Sequence, residues 1–331
     1  MAGQFRYVTP VEPRAATGRV ARVYAQLAED FRMARMPVFL TLSPAPEVLA
    51  ATWAMLRESL LAGDESRTAR EVVALGVSMA NRCPFCVAAH TTLLHATGDH
   101  RLAETIAAGG TPDDPRHAEL LAWAGSRRRA PETGPQIVGT ALTFHFINRI
   151  ASALLTENLL PANLQKSRLV RSVGGRAMSR AVRTRLLSGA SLPLVADLPA
   201  LPEPAWGAGT SVGAAYAALR AVAGTGGELL GESARAAVTD AVAAWDGEHP
   251  PMGGAWLDGP LADVPAGERP GARLALLVAL APYRVTDADV AAWRGSRTDE
   301  DLVRLCAFGA ASAMERMETF ITASALTGDR S

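Results

Sequence analysis

Apolar residues recur every three to four positions along nearly the whole chain, and no convincing run of strand-type alternation interrupts them. The pattern predicts helices at roughly 16–31, 46–61, 68–81, 84–97, 100–108, 116–127, 136–158, 177–187, 211–223, 232–245, 271–281, 286–294 and 299–325. The fold class expected is therefore all-α, a helical bundle. Breaks fall at Gly109-Gly110-Thr111-Pro112, at Ala130-Pro131 and in two longer Gly/Pro-rich stretches. Thr298-x-x-Asp301 is a capping signal for the last helix.

One stretch, Pro193 to Pro204, carries four prolines and reads as a linker. It divides the chain into a first half, 1–188, a linker, 189–210, and a helical second half, 211–331. A faint repeat relates the halves. When Glu65-Ser66 is laid on Glu232-Ser233, Cys83 falls on Pro250, Cys86 on Gly253, Glu71 on Val238 and His90 on Leu257. Such a second copy keeps the helix–break outline and loses every chemical group.

Composition narrows the class. Apolar residues make up 49% of 331, enough for a large core, and 33 basic residues balance 33 acidic ones. No basic block is present, so a nucleic-acid partner is not expected. The apolar run 137–160 is interrupted by His145, Asn148, Arg149 and Glu157, which reads as a buried helix and not a membrane span. No secretory signal opens the chain, so a cytoplasmic setting is expected. Lys166 is the single lysine, a sign of coding bias.

The chemistry is concentrated in Cys83-Pro84-Phe85-Cys86 followed by His90, where two of the three cysteines stand. In a reducing compartment this spacing points to redox or metal chemistry. Cys83 falls near a helix N-cap, Pro84 suits the first helical position, and Cys86 falls near N3. The positive helix end is expected to lower the Cys86 thiol pKa, making Cys86 the attacking thiolate and Cys83 its resolving partner. His90 lies one turn on, on the same face as Cys86. A hairpin turning at Arg82 brings Glu71 level with His90. Glu71 has a structural alternative, as the third residue of a Thr68-x-x-Glu71 capping box. Zinc bound by Cys83, Cys86, His90 and His95 is disfavoured, since His95 lies roughly 13 Å beyond Cys86 along the helix and out of phase; zinc on Cys83, Cys86, His90 and an outside ligand is the remaining metal alternative. His145 and Asn148 share a face and are candidates for the same pocket, with a plain buried histidine as the alternative. Cys306 reads as a core residue.

Glu71, then Cys83-x-x-Cys86-x-x-x-His90, resembles the signature of AhpD-like alkylhydroperoxidases in the carboxymuconolactone decarboxylase superfamily, over about 46–98. Weaker likeness continues through 117–124 and the Phe144–Arg149 segment, as in longer members with an added C-terminal half. The resemblance implies an all-α fold, homo-oligomers, and reduction of hydroperoxides without metal, flavin or haem. Cys86 would be peroxidatic and Cys83 resolving, Glu71 and His90 would relay protons, and a lipoyl or thioredoxin-like dithiol would recycle the disulfide. Phe85 stands where the best-known enzymes carry a second histidine. Apolar neighbours such as Val87 and Leu94 favour organic peroxides. The rival readings are a non-redox decarboxylase or isomerase using Glu71 and His90, and a redox sensor without turnover.

Overall fold

The computed structural model describes residues 4–322 except 34, 132 and 158–167. Its helices are α1 (Gly18–Phe31), α2 (Pro37–Leu42), α3 (Pro46–Leu56), α4 (Arg67–Ala80), α5 (Pro84–Thr97), α6 (His100–Ala107), α7 (Pro115–Ala124) and α8 (Pro135–Leu154), then α9 (Arg168–Arg183), α10 (Ser211–Gly224), α11 (Glu232–Ala244), α12 (Asp258–Leu261), α13 (Arg269–Leu280), α14 (Asp287–Arg294) and α15 (Asp299–Thr322). Among the described residues only two isolated bridges, Phe5–Leu155 and Ala62–Leu186, have β character. The all-α expectation holds. The ends of the predicted 136–158 and 299–325 helices, and Lys166, lie outside the described residues.

One apolar core runs through both halves of the chain, with Trp53, Phe146, Tyr216 and Met314 all buried in it. The long helix α8 lies at its centre, against α4 on one side and α15 on the other. It is long and apolar enough to cross a membrane, yet it is almost wholly enclosed by protein. The 189–210 segment is docked: buried Ser191 donates to Glu58 at 2.6 Å, and Asp197 pairs with Arg19 at 2.8 Å.

Two helices differ from their sequence pattern for visible reasons. The predicted 46–61 helix is α only to Leu56 and continues as a π turn, Arg57–Leu61. That turn holds a buried polar network in which Arg57 reaches Asp30 at 2.7 Å and Glu58 at 3.0 Å. The predicted 177–187 helix begins instead at Arg168. The added turns include Gly174 and Gly175, which lie where α9 crosses α5. A Cβ on Gly175 would stand 2.7 Å from the His95 Cβ, so the glycine is required by close helix approach. Where the repeat would place a copy of α5, at 251–264, the chain has short turns and the four-residue α12; the helix that packs on α11 is the later α13.

Candidate active site

The α4–α5 hairpin carries the thiols. Ser66 caps α4, its hydroxyl accepting from the Ala69 N–H at 3.3 Å. Glu71 therefore lies in the second turn, and the Thr68-x-x-Glu71 capping box does not form. Asn81 closes α4, and Arg82 turns the chain with a left-handed φ of 53°. Cys83 is the N-cap of α5 and Pro84 its first residue, as the sequence predicts.

The Cys83 sulfur accepts the Cys86 backbone N–H at 3.4 Å and lies against the Cys86 thiol, and both residues are buried. Their electrostatics reverse the sequence-based expectation. Burial first, and then the adjoining Cys83 sulfur, push the Cys86 thiol well above its ordinary pKa. Burial also disfavours charge on Cys83, but hydrogen bonds from the Cys86 thiol and N–H, with the Ser152 hydroxyl beside them, outweigh it and draw its pKa down. The reason is geometric. A helix N-terminus serves the side chain that folds back onto its free N–H groups, and that is the N-cap, not N3. Of the two sulfurs, Cys83 is the one whose charged form the fold favours.

Glu71 is wholly buried. Its carboxylate accepts from Arg67 Nε at 2.8 Å and from His90 Nδ1 at 2.7 Å. Burial raises its pKa, but Arg67 and His90 overcome this and hold it below the ordinary carboxylate value. A carboxylate on Nδ1 fixes the proton there and leaves Nε2 as the basic nitrogen. His90 also packs edge-on against Phe144, ring centroids 4.3 Å apart.

Cys86 and His90 both line an apolar cavity of about 160 Å³ bounded by Phe31, Met36, Leu60, Phe144, Ile147 and Met178. Val87 and Leu94, expected to shape the surroundings, do not line it. Cys83 faces a different cavity, of about 360 Å³, edged by Arg6, Ser152, Tyr283 and Val285. Phe85 borders both and separates them. The two sulfurs thus open in different directions.

The remaining candidates stand apart. His95 bonds to His100 and Glu104, at 2.7 Å each, and is not directed at the cysteines. Asn148 is buried and accepts from Ser78 at 3.2 Å, while His145 borders a separate cleft. Neither lines the cavity of Cys86. Cys306 is buried in the core, where burial pushes its thiol up to about 12. The site residue missed by sequence reasoning is Arg67. Arg67 was legible as a cation four residues before Glu71 on one helix face.

A model of the carboxymuconolactone decarboxylase family matches residues 46–125, which span α3 to just past α7. A Mycobacterium tuberculosis protein named alkyl hydroperoxide reductase is 38% identical over 331 residues, covering 96% of this chain and 95% of its own length. The chain belongs to the carboxymuconolactone decarboxylase family. No solved structure matches it. The family match takes in Glu71, Cys83, Cys86 and His90 but ends before α8, which walls both cavities. The match to the relative continues through the second half, so the long form is shared.

Proposed function

We propose that the protein is a thiol peroxidase that reduces organic hydroperoxides. The observation that carries this reading is the placement of Cys86 and a carboxylate-fixed histidine on one apolar cavity, with a second sulfur, Cys83, in contact behind. The relative's name supports the reaction class.

Cys86 is the attacking sulfur because it faces the cavity. Its proton passes to the Cys83 sulfur or to His90 Nε2, the ring nitrogen left free by the Glu71 carboxylate on Nδ1. The Cys86 thiolate attacks the outer peroxide oxygen. The O–O bond breaks, the alkoxide takes a proton and leaves as alcohol, and Cys86 becomes a sulfenic acid. Cys83, the sulfur whose charged form is stabilised, then displaces hydroxide from that sulfenic acid, which is protonated to water, and a Cys83–Cys86 disulfide forms. The low Cys83 pKa thus serves the resolving step. An external dithiol, of lipoyl or thioredoxin-like type, reduces the disulfide from the cavity on the Cys83 side. The organic part of the peroxide lies among Phe31, Met36 and Phe144.

The test is a thiol count. Reduced protein mixed with cumene hydroperoxide should lose two thiols per chain within minutes, and Cys86→Ser should lose none. Thiols that persist in excess peroxide would exclude the reading. A redox sensor would consume one equivalent of peroxide and stop even when a dithiol is supplied.

A further inference from the structure

A second cleft, of about 570 Å³, lies where α8 meets the second half of the chain. Its floor is Arg149 and His145, one turn apart on α8, and its walls include Trp245, Leu280, Pro282 and Met317. Arg149 is 4% exposed. Its Nε donates to the Ala279 carbonyl at 2.7 Å and one Nη to the His145 carbonyl at 2.6 Å, while Trp245 stacks 5.5 Å from the guanidinium. No carboxylate pairs with it among the described residues, and its second Nη has no acceptor there. This is an unusual state for a buried guanidinium, because desolvation is normally offset by an anion. Burial alone draws its pKa down to about 9.

The other groups in the cleft are accounted for. Arg127 at the rim is neutralised by Glu248 at 2.5 Å. His249 spends Nε2 on the Ala80 carbonyl at 2.8 Å and accepts from the Tyr283 hydroxyl on Nδ1 at 3.2 Å. His145 differs: the Asn81 amide nitrogen stands 3.3 Å from its Nδ1, so Nδ1 accepts and the ring proton sits on Nε2. Burial and the neighbouring Arg149 hold this ring neutral. That Nε2–H has no acceptor among the described residues. The floor therefore offers one buried positive charge and one neutral N–H donor, and Arg128 adds a further cation at the rim.

We infer that this cleft binds a small organic monocarboxylate, one oxygen on the free Nη of Arg149 and the other on Nε2–H of His145, with an apolar body against Trp245, Leu280 and Met317. A single buried cation matches a single negative charge. A phosphate would bring a second charge into a low-dielectric floor without a second buried cation to balance it. The cleft is distinct from the cavity of Cys86, and the inference does not depend on the peroxidase reading.

Calorimetric titration of the full chain with sodium hexanoate tests it. Saturable binding at one site per chain is expected, with hexanamide and inorganic phosphate each at least about tenfold weaker, the margin of a charge-assisted pair. Arg149→Met should weaken hexanoate by about tenfold or more, and His145→Gln by several-fold. No saturation with hexanoate, equal binding of hexanamide or phosphate, or unchanged binding in Arg149→Met would overturn the assignment. Should Arg149→Met fail to fold by circular dichroism, His145→Gln and the hexanoate–hexanamide pair on the unaltered chain decide.

Discussion

α8 borders two pockets of opposite character. At Phe144 and Ile147 it walls the cavity of Cys86; at His145 and Arg149 it floors the cleft against the second half. Each pocket contains a buried histidine, and the partners of the two rings are inverted. His90 has a carboxylate on Nδ1, itself held by Arg67. His145 has an amide donor on Nδ1 and a guanidinium one turn away. The first arrangement places the proton on Nδ1, leaves Nε2 free to accept one, and suits proton transfer. The second keeps the ring neutral and turns it into a hydrogen-bond donor. Residue type alone would have ranked the two alike; the sign of the neighbouring charge separates them.

The largest effect expected from breaking the first pocket is at the sulfur that faces it. Cys86→Ser should reduce peroxide turnover by about a thousandfold or more, since a hydroxyl is a far poorer nucleophile than a thiolate. Cys83→Ser should still form a Cys86 sulfenic acid, trapped by dimedone and seen by mass spectrometry, but should not turn over with a dithiol. A non-redox member using only Glu71 and His90 would keep its activity in both variants. The relay comes next. Glu71→Gln leaves His90 without a carboxylate, and kcat/KM should fall about 10- to 100-fold, with the acid limb of the pH profile altered. It also strands Arg67, so chemical denaturation should show a loss of up to about 3 kcal/mol.

Much of this pocket was legible in the sequence. Periodicity placed the α4–α5 hairpin, Pro84 fixed the start of α5, and the antiparallel hairpin brought Glu71 roughly level with His90. Thr298-x-x-Asp301 does cap α15, with Asp301 N–H donating to the Thr298 hydroxyl at 3.1 Å. What failed depended on directions that spacing does not encode. The N3 position of Cys86 suggested a stabilised thiolate, but a side chain must fold back to meet the free N–H groups, and only Cys83 does. His145 and Asn148 share a helix face, yet one borders a cleft and the other is sealed against Ser78, because α8 is covered by different helices on adjacent sides. The cleft itself required tertiary contact, since Trp245 and Met317 come from elements about 100 to 170 residues beyond α8.

The second pocket yields smaller effects. His145 is neutral in the folded protein, with its pKa depressed by burial and by Arg149. Unfolding releases it to an ordinary value of about 6.5. Between the two values the unfolded chain binds the extra proton, so this residue's contribution to stability is intact above about pH 6.5 and declines as pH falls below it, by at most about 1.4 kcal/mol per pH unit. Urea midpoints measured from pH 7.5 to 5 should therefore fall less steeply in His145→Gln than in the unaltered chain. Parallel slopes would mean that the ring titrates in the fold as it does in the open chain, and the inverted-partner comparison would lose one of its members.

The smallest effect is expected at the third cysteine. Cys306 lies in the core on α15, away from both pockets, and burial pushes its thiol up to about 12. A thiol so rarely ionised at neutral pH neither attacks peroxide nor competes for the disulfide. Cys306→Ala should leave peroxide turnover within about twofold and cost about 1 kcal/mol of packing. A larger loss of turnover would place a third sulfur in the redox cycle. The Cys83–Cys86 contact would then be insufficient to explain the chemistry of the first pocket, and two-thiol consumption in this variant is the measurement that separates those outcomes.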